Sequence, residues 1–147
     1  MIEIKKLEKK YIDDVYKIER LCFSNPWSRA DLEKQTDIPT SSFLVAVDGK
    51  KAVGYMGLQI FSGEGYVTNV AVLPEYRGQG IAKALIGEQM KNEMDFITLE
   101  VRESNAPAIS LYTKMGFENV GIRPKFYSNP TENAVIMTRN FNRADEK

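Results

Sequence analysis

The amino-acid sequence contains no histidine and a single cysteine, Cys22, among its 147 residues. The lack of histidine excludes a Ser-His-Asp triad, a Cys-His pair and any histidine-based metal site. One cysteine forms neither an internal disulfide nor a cysteine-rich zinc site, so we expect no metal. Cys22 falls on an apolar stripe of the first predicted helix, where we expect it to pack rather than react.

Signals for membranes and for nucleic acids are missing as well. No apolar run approaches the roughly 18 residues of a membrane span, and the charged first residues are unlike a signal peptide. The 20 Lys and Arg residues balance 20 Asp and Glu residues, so the formal net charge is zero. A neutral chain has no whole-domain attraction for nucleic acid, and the alternative is a local basic patch. We therefore expect a cytoplasmic protein without a membrane or nucleic-acid partner.

Length and composition favour a single folded domain. The chain is 43% hydrophobic and 27% charged, which is ordinary for a globular protein. Its 147 residues match one domain of common size. We expect a single monomeric domain over residues 1–141, followed by a flexible polar tail over residues 142–147.

Hydrophobic periodicity predicts four helices and seven strands in the order β-α-α-β-β-β-α-β-α-β-β. Ser28 is a candidate N-cap, Asp48-Gly49 is a hairpin signal, and Gly116 suits the position just after a helix. The helices are predicted over residues 9–23, 29–35, 79–93 and 105–115. The strands are predicted over residues 1–6, 43–47, 52–61, 66–73, 95–102, 118–123 and 133–141.

This order indicates an α+β fold. We expect a mixed, largely antiparallel sheet of six to seven strands, flanked by about four helices. Residues 66–102 form a strand, a helix and a second strand, which should cross over with a right-handed connection. That connection predicts one parallel pair within the sheet.

The most informative segment is the strand-to-helix turn that contains Gly78 and Gly80. The first turn of a helix leaves backbone N–H groups unpaired, and glycines let such a turn approach a ligand closely. Together with Arg77 and Lys83, the turn is a candidate phosphate-binding loop. It lacks the G-K-[ST] of a Walker loop and the third glycine of a dinucleotide fingerprint. The alternative is an ordinary turn with a solvated arginine and lysine.

Arg77, Gly80 and Ala82 fit the pattern R/Q-x-x-G-x-G/A, and V-A-V-x-P-x-Y-R-G leads into it. The chain thereby resembles the GCN5-related N-acetyltransferases, the GNAT superfamily, in which this loop binds acetyl-CoA. Two further segments narrow the resemblance: P-W-S at residues 26–28, and L-E-V-R-x-S-N at residues 99–105, which continues to G-F at 116–117. Both are similar to the RimI branch, the ribosomal-protein alanine N-acetyltransferases.

The resemblance implies acetyl-CoA as the cosubstrate. Backbone groups of Val70, Ala71 and Val72 would bind the acetyl-pantetheine arm beside a splayed part of the sheet. Asn105 would hydrogen-bond the cofactor from the last helix, although its position also suits the N-cap of that helix. The pyrophosphate would bind to the loop formed by Arg77, Gly78, Gln79, Gly80, Ile81, Ala82 and Lys83.

The resemblance also implies Glu100 as the proton acceptor and Tyr112 as the proton donor to the leaving thiolate. Strand alternation puts Glu100 on the face opposite the apolar residues 97, 99 and 101, where it is free to face a site. The alternative for Glu100 is an exposed or ion-paired strand carboxylate. Asn105 and Tyr112 lie seven residues apart and share a helix face. The alternative for Tyr112 is packing in the core.

The implied reaction is direct transfer, in a ternary complex, to the N-terminal alpha-amine of a small-subunit ribosomal protein, alanine in this branch. An N-terminal amine has a pKa of about 7.7–8.0, against about 10.4 for lysine, so a carboxylate base suffices. We expect the peptide groove between residues 25–28 and the final hairpin, which carries Phe126 and Tyr127. The alternatives are a small-molecule amine or other protein N-termini as acceptor, and a CoA-binding module without turnover.

Overall fold

The computed structural model describes residues 1–141, so the tail predicted over residues 142–147 lies outside the described residues. The predicted order of elements is confirmed. Lys9–Tyr11, predicted as the start of the first helix, forms a 3-10 turn, and Pro74–Tyr76 forms another. Within residues 1–141, no helix is long and apolar enough to cross a membrane. The helices are α1 (Ile12–Cys22), α2 (Arg29–Gln35), α3 (Ile81–Gln89) and α4 (Ala106–Lys114). The strands are β1 (Ile2–Lys6), β2 (Ser41–Asp48), β3 (Lys51–Phe61), β4 (Glu64–Val72), β5 (Phe96–Arg102), β6 (Glu118–Tyr127) and β7 (Glu132–Asn140).

The seven strands of the described chain form one sheet in the order β1-β2-β3-β4-β5-β7-β6. Neighbouring strands are antiparallel except β4 and β5, which are parallel. This parallel pair is the one predicted from the strand-helix-strand segment. The expected α+β fold, with a mixed and largely antiparallel sheet and four helices, is therefore confirmed.

The centre of the sheet is covered on both faces. Residues 52–58 of β3 are all buried. Because successive residues of a strand point to opposite faces, both faces of β3 need a cover. Helices α1 and α3 both pack against β3, and they bring buried residues such as Ile18 and Leu85 into the core. The hydrophobic core therefore lies on both faces of the central strands.

Helix α3 is shorter than predicted, since it runs over Ile81–Gln89 rather than residues 79–93. At its start Gly80 has φ 79°, a left-handed conformation that does not continue a helix. At its end the side-chain amide of Asn92 donates a hydrogen bond of 2.8 Å to the carbonyl oxygen of Gln89. This contact closes the last turn of the helix.

Strand β6 is longer than predicted and continues to Tyr127, past the expected end at residue 123. Pro124 lies inside it, which is possible because β6 is an edge strand and its outer side needs no backbone donor. The pairing of β6 with β7 shifts register twice along its length. The extra length brings Phe126 and Tyr127 to the end of the hairpin.

Two local signals are confirmed. The hydroxyl oxygen of Ser28 accepts a hydrogen bond of 3.1 Å from the backbone N–H of Asp31, as an N-cap of α2 does. Gly116 follows α4 with φ 93°, a conformation that favours glycine after a helix.

Candidate active site

Strands β4 and β5 separate part-way along their length. Residues 64–66 of β4 pair with residues 96–98 of β5. Beyond these positions β4 continues to Val72 and β5 to Arg102 without pairing to each other. A β-bulge at Thr68, on the side paired with β3, marks the same region of β4 and increases its twist. The edge of β4 that faces β5 therefore presents backbone groups that no strand pairs.

A cavity of about 410 Å³ lies where the two strands diverge. Four of the predicted site residues line it: Val70 on β4, Glu100 on β5, and Asn105 and Tyr112 at the two ends of α4. Its other walls come from the end of α1, the loop that follows α1, and the β6–β7 hairpin. The other predicted site residues, Ala71, Val72 and residues 77–83, lie outside this cavity.

Glu100 lines the cavity from β5, together with its neighbours Leu99 and Val101. Ile97, Leu99 and Val101 are buried, whereas Glu100 lies on the opposite face and is half-buried. The ion pair formed nearby joins Arg102 to Glu132 at 3.2 Å and does not use Glu100. The carboxylate of Glu100 is thus available to a ligand in the cavity.

Tyr112 packs in the core and also lines the cavity. Its side chain is 7% exposed, and its ring centroid lies 5.7 Å from that of Phe117. Burial, with a smaller effect of Tyr127, raises the pKa of the Tyr112 phenol to about 12. The predicted core packing of Tyr112 is therefore confirmed, and its role as a proton donor stays a prediction.

Asn105 is the N-cap of α4. Its side-chain oxygen accepts a hydrogen bond of 3.3 Å from the backbone N–H of Ala108. The cap occupies the oxygen, which leaves the amide nitrogen as the group able to contact a ligand in the cavity. The predicted N-cap is therefore confirmed, and contact of Asn105 with the cofactor stays a prediction.

The glycine-containing turn opens helix α3. Gly78 and Gly80 have φ of 78° and 79°, and apart from their own chain neighbours no atom lies within 4 Å of where a Cβ would stand on either residue. This leaves open space beside the first turn of α3, where unpaired N–H groups favour an anion. Arg77 is engaged elsewhere, since its Nε donates a hydrogen bond of 3.0 Å to the Val72 carbonyl at the end of β4.

Cys22 packs against the end of β4, as predicted, and it also contributes to the cavity wall. Its Sγ lies 3.9 Å from the carbonyl oxygen of Val72 and 3.6 Å from a guanidinium nitrogen of Arg77. Burial raises the pKa of the Cys22 thiol, against the opposing effect of Arg77. A thiol held protonated in this way is a poor nucleophile.

A buried polar cluster at the inner end of the cavity was missed by sequence reasoning. Glu19 of α1 is fully buried. Its carboxylate accepts hydrogen bonds from the Tyr55 hydroxyl, from Asn69 Nδ2 at 3.2 Å and from the backbone N–H of Trp27 at 2.8 Å. Burial, followed by the charge of Glu19, raises the pKa of Tyr55. The signal was present, because Glu19 lies four residues after Val15 on the apolar stripe of α1.

Two loops close the mouth of the cavity, and they are the segments expected to form a peptide groove. The Ser24 hydroxyl donates a hydrogen bond of 3.3 Å to the backbone carbonyl of Ser128, and the Asn25 amide donates one of 3.1 Å to the Ser128 hydroxyl. Phe126 and Tyr127 lie edge to face, with centroids 5.0 Å apart. The loop after α1 and the β6–β7 hairpin therefore meet across the opening.

The sequence matches a known protein family over most of its length. Residues 12–117 match the model of the acetyltransferase (GNAT) family. The chain belongs to that family. The resemblance seen in the sequence is thereby confirmed, together with the GNAT fold and an acetyltransferase activity.

Individual GNAT relatives are similar over nearly the whole chain. A Bacillus subtilis protein described as a putative [ribosomal protein bS18]-alanine N-acetyltransferase is 37% identical over 131 residues, 86% of this chain and 87% of that protein. The crystal structure of the Escherichia coli ribosomal-protein-S18-alanine N-acetyltransferase is 29% identical. It superposes with a TM-score of 0.86 and covers 95% of this chain and 94% of that one. The NatC complex bound to Gag peptide and CoA contains a chain 25% identical, with a TM-score of 0.80, covering 95% and 98%.

Proposed function

We propose that this GNAT protein transfers the acetyl group of acetyl-CoA directly to the N-terminal alpha-amine of a small-subunit ribosomal protein, bS18, whose first residue is alanine. The single observation that carries the proposal is the cavity that Glu100 and the unpaired part of β4 line together. The relatives from Bacillus subtilis and Escherichia coli, which bear that activity in their names, support the choice of acceptor. The enzyme acts as a cytoplasmic monomer without nucleic acid.

Acetyl-CoA fits the residues present on this face of the fold. The open space beside Gly78 and Gly80 and the first turn of α3 suit a pyrophosphate. Backbone groups of residues 70–72, on the strand edge that β5 leaves unpaired, suit the amide groups of the pantetheine arm. In this assignment Arg77 holds the end of β4 in place through the Val72 carbonyl. The bound cosubstrate supplies an activated thioester at the cavity.

The acceptor amine must lose a proton before it reacts. For an N-terminal amine this requires only about 1 kcal/mol at pH 7, whereas a lysine amine requires more than about 4 kcal/mol. Glu100, half-buried on β5, is the carboxylate that accepts the proton. The amine nitrogen then forms a bond to the carbonyl carbon of the thioester, and the carbon–sulfur bond breaks. Freed N–H groups of β4 stabilise the charge that develops on the carbonyl oxygen.

Tyr112 stabilises the departing sulfur. With a pKa of about 12 its phenol is fully protonated at neutral pH, so it is a hydrogen-bond donor at all times. A thiol has a reference pKa of about 8.5, so complete proton transfer from Tyr112 to the thiolate is uphill. Tyr112 therefore donates a hydrogen bond to the thiolate. The acceptor nitrogen loses its second proton as it becomes an amide, and the thiolate takes up that proton, directly or through solvent.

The shape of the cavity mouth favours a peptide over a free small amine. The loop at residues 24–27 and the hairpin end at residues 126–128 border the opening. A chain held at its first residue leaves between them when the contacts of Ser24 and Asn25 with Ser128 open. Trp27 and Phe126 supply the aromatic surface that a peptide backbone packs against.

Release of the CoA thiol tests this proposal. The enzyme is incubated with acetyl-CoA and, in parallel, with an alanyl peptide of the bS18 N-terminus, the same peptide with a blocked N-terminus and an internal lysine, and a polyamine. We expect thiol release with the first substrate only. Release with the polyamine alone, or with the blocked peptide, would assign the enzyme to a different acceptor.

A further inference from the structure

Asn69, at the inner end of the cavity, has a buried oxygen without a hydrogen-bond partner. Its side chain is 8% exposed and lines the cavity. Among the buried side-chain nitrogen and oxygen atoms of residues 1–141, only Asn69 Oδ1 lacks a hydrogen-bond partner. Nearly all buried polar atoms are satisfied in folded proteins, so an orphaned acceptor in a cavity calls for a donor from outside the chain.

The orientation of this amide is fixed by its neighbour. Asn69 Nδ2 donates a hydrogen bond of 3.2 Å to the Glu19 carboxylate. Rotating the amide would put two acceptor oxygens against each other, so Oδ1 must point away from Glu19. Glu19 is itself held by the backbone N–H of Trp27 and by the Tyr55 hydroxyl. The position of the orphaned oxygen is thus built into the fold.

Asn69 lies in the part of β4 that has separated from β5. It follows the bulge at Thr68 and precedes Val70, where β4 has already left β5. Glu100 lines the same cavity from the opposite strand. Asn69 and Glu100 therefore line one cavity from two strands that no longer pair with each other.

We propose that Asn69 Oδ1 accepts a hydrogen bond from the alpha-amine of the acceptor, and that Asn69 is a specificity-determining residue for peptides that carry a free alpha-amine. This inference rests on the proposed function. An amine that has given one proton to Glu100 keeps two N–H groups and a lone pair. One N–H bonded to Asn69 limits rotation of the nitrogen, which directs the lone pair toward the thioester. Glu19 is a positioning residue, because its carboxylate orients Asn69 and binds the backbone N–H of Trp27 in the loop after α1.

The test compares binding of two peptides that differ only in the amine. One is the alanyl peptide, and the other is its propionyl analogue, in which hydrogen replaces the amine. Dissociation constants are measured by calorimetry with CoA present, for the wild type and for Asn69→Leu, which is nearly isosteric. We expect the preference for the alanyl peptide to fall about tenfold in the variant, the loss of one hydrogen bond. Binding of the propionyl peptide and of acetyl-CoA should change less than about twofold.

A matched control separates this role from loss of a buried amide as such. Gln89 is also fully buried and bonds to Ser42 outside the cavity. Gln89→Leu should lower thermal stability and leave the peptide preference unchanged. If Asn69→Leu does not fold, Asn69→Ser is compared with the wild type instead. The serine hydroxyl is too short to hydrogen-bond the amine and Glu19 at the same time.

Three outcomes overturn the inference. An unchanged preference in Asn69→Leu shows that the oxygen does not contact the amine. If both peptides bind equally more weakly to the variant, Asn69 has only a structural role. If acetyl-CoA binds more weakly, the group that donates to Asn69 Oδ1 is an amide of the cosubstrate. If the wild type itself fails to acetylate the alanyl peptide, the proposed function fails instead, which thiol release establishes separately.

Discussion

The guanidinium of Arg102 lies over the ring of Tyr127, with 4.5 Å between its central carbon and the ring centroid. The same guanidinium donates hydrogen bonds of 3.1 Å to the Ser128 carbonyl and 3.0 Å to the Pro130 carbonyl. It also pairs with Glu132 at 3.2 Å. Arg102, at the end of β5, therefore fixes the hairpin that forms one side of the cavity mouth.

Replacing this arginine should loosen the peptide groove. In Arg102→Lys the ammonium cannot make the planar, multiple contacts of a guanidinium. We expect KM for the alanyl peptide to rise about five- to tenfold, with kcat and the affinity for acetyl-CoA nearly unchanged. Steady-state kinetics with each substrate varied in turn measure the effect.

Arg139→Lys is the control for that experiment. Arg139 likewise lies over an aromatic ring, Phe141, and bonds to the Met115 carbonyl, but it does not line the cavity. Its replacement should affect stability alone. Equal increases in peptide KM for both variants would show that Arg102 has no specific part in the groove.

Glu100→Gln should remove the proton acceptor. We expect kcat to fall about 100-fold, the lower end of the range for general-base catalysis. The loss should be greatest at low pH, where the amine is most protonated, while the affinity for acetyl-CoA stays the same. A pH–rate profile of the variant that parallels the wild type would assign the base elsewhere.

Tyr112→Phe should slow turnover without unfolding the protein. The ring keeps its contact with Phe117, whereas the hydroxyl that donates to the thiolate is lost. We expect kcat to fall about tenfold, with both substrate affinities preserved. Identical turnover numbers for variant and wild type would rule out a contribution of the phenol to the departure of sulfur.

The same residue predicts a loss of stability in alkali. The pKa of Tyr112 is about 12 in the folded state, against about 10 unfolded. The neutral phenol therefore contributes stability that is complete below pH 10 and is lost as the pH rises toward 12, about 2–3 kcal/mol in total. The free energy of unfolding, measured with urea from pH 9 to 12, should fall less steeply with pH in Tyr112→Phe than in the wild type. Equal slopes for both proteins would contradict the raised pKa.

Gly80→Asp tests the phosphate-binding turn. The new carboxylate adds negative charge beside the first turn of α3 and occupies space that is now open. We expect acetyl-CoA binding, measured by calorimetry, to weaken at least about tenfold. Gly87→Asp adds the same charge farther along α3 at a position with open space, and it should change the affinity less than about twofold. Similar affinities for both variants would remove the turn from the binding site.

Much of this fold follows from local patterns in the sequence. Alternation along residues 97–101 predicted which face of β5 is buried, and Ser28 and Gly116 predicted helix ends, because each effect involves only a few neighbouring residues. The parallel pair followed from the chirality of the connection between β4 and β5. The resemblance to the GNAT family added the roles of Glu100 and Tyr112, which spacing alone could not assign.

Other features depend on contacts between distant residues. Glu19 bonds to Tyr55 and Asn69, 36 and 50 residues away, so its burial is decided by the packed sheet and not by its neighbours on α1. The continuation of β6 past Pro124 depends on its place at the sheet edge, which no local pattern reveals. The contact between Asn25 and Ser128, which closes the cavity mouth, joins residues 103 positions apart, so no local pattern predicts it either.

The central claim is that acetyl transfer occurs on an alpha-amine held between β4 and Glu100. Tandem mass spectrometry of intact bS18, after incubation with the enzyme and acetyl-CoA, tests it most directly. We predict one acetyl group, on the nitrogen of the N-terminal alanine, and a rate strongly reduced in Glu100→Gln. Acetyl groups on lysine side chains, or equal N-terminal acetylation by both proteins, would contradict the account.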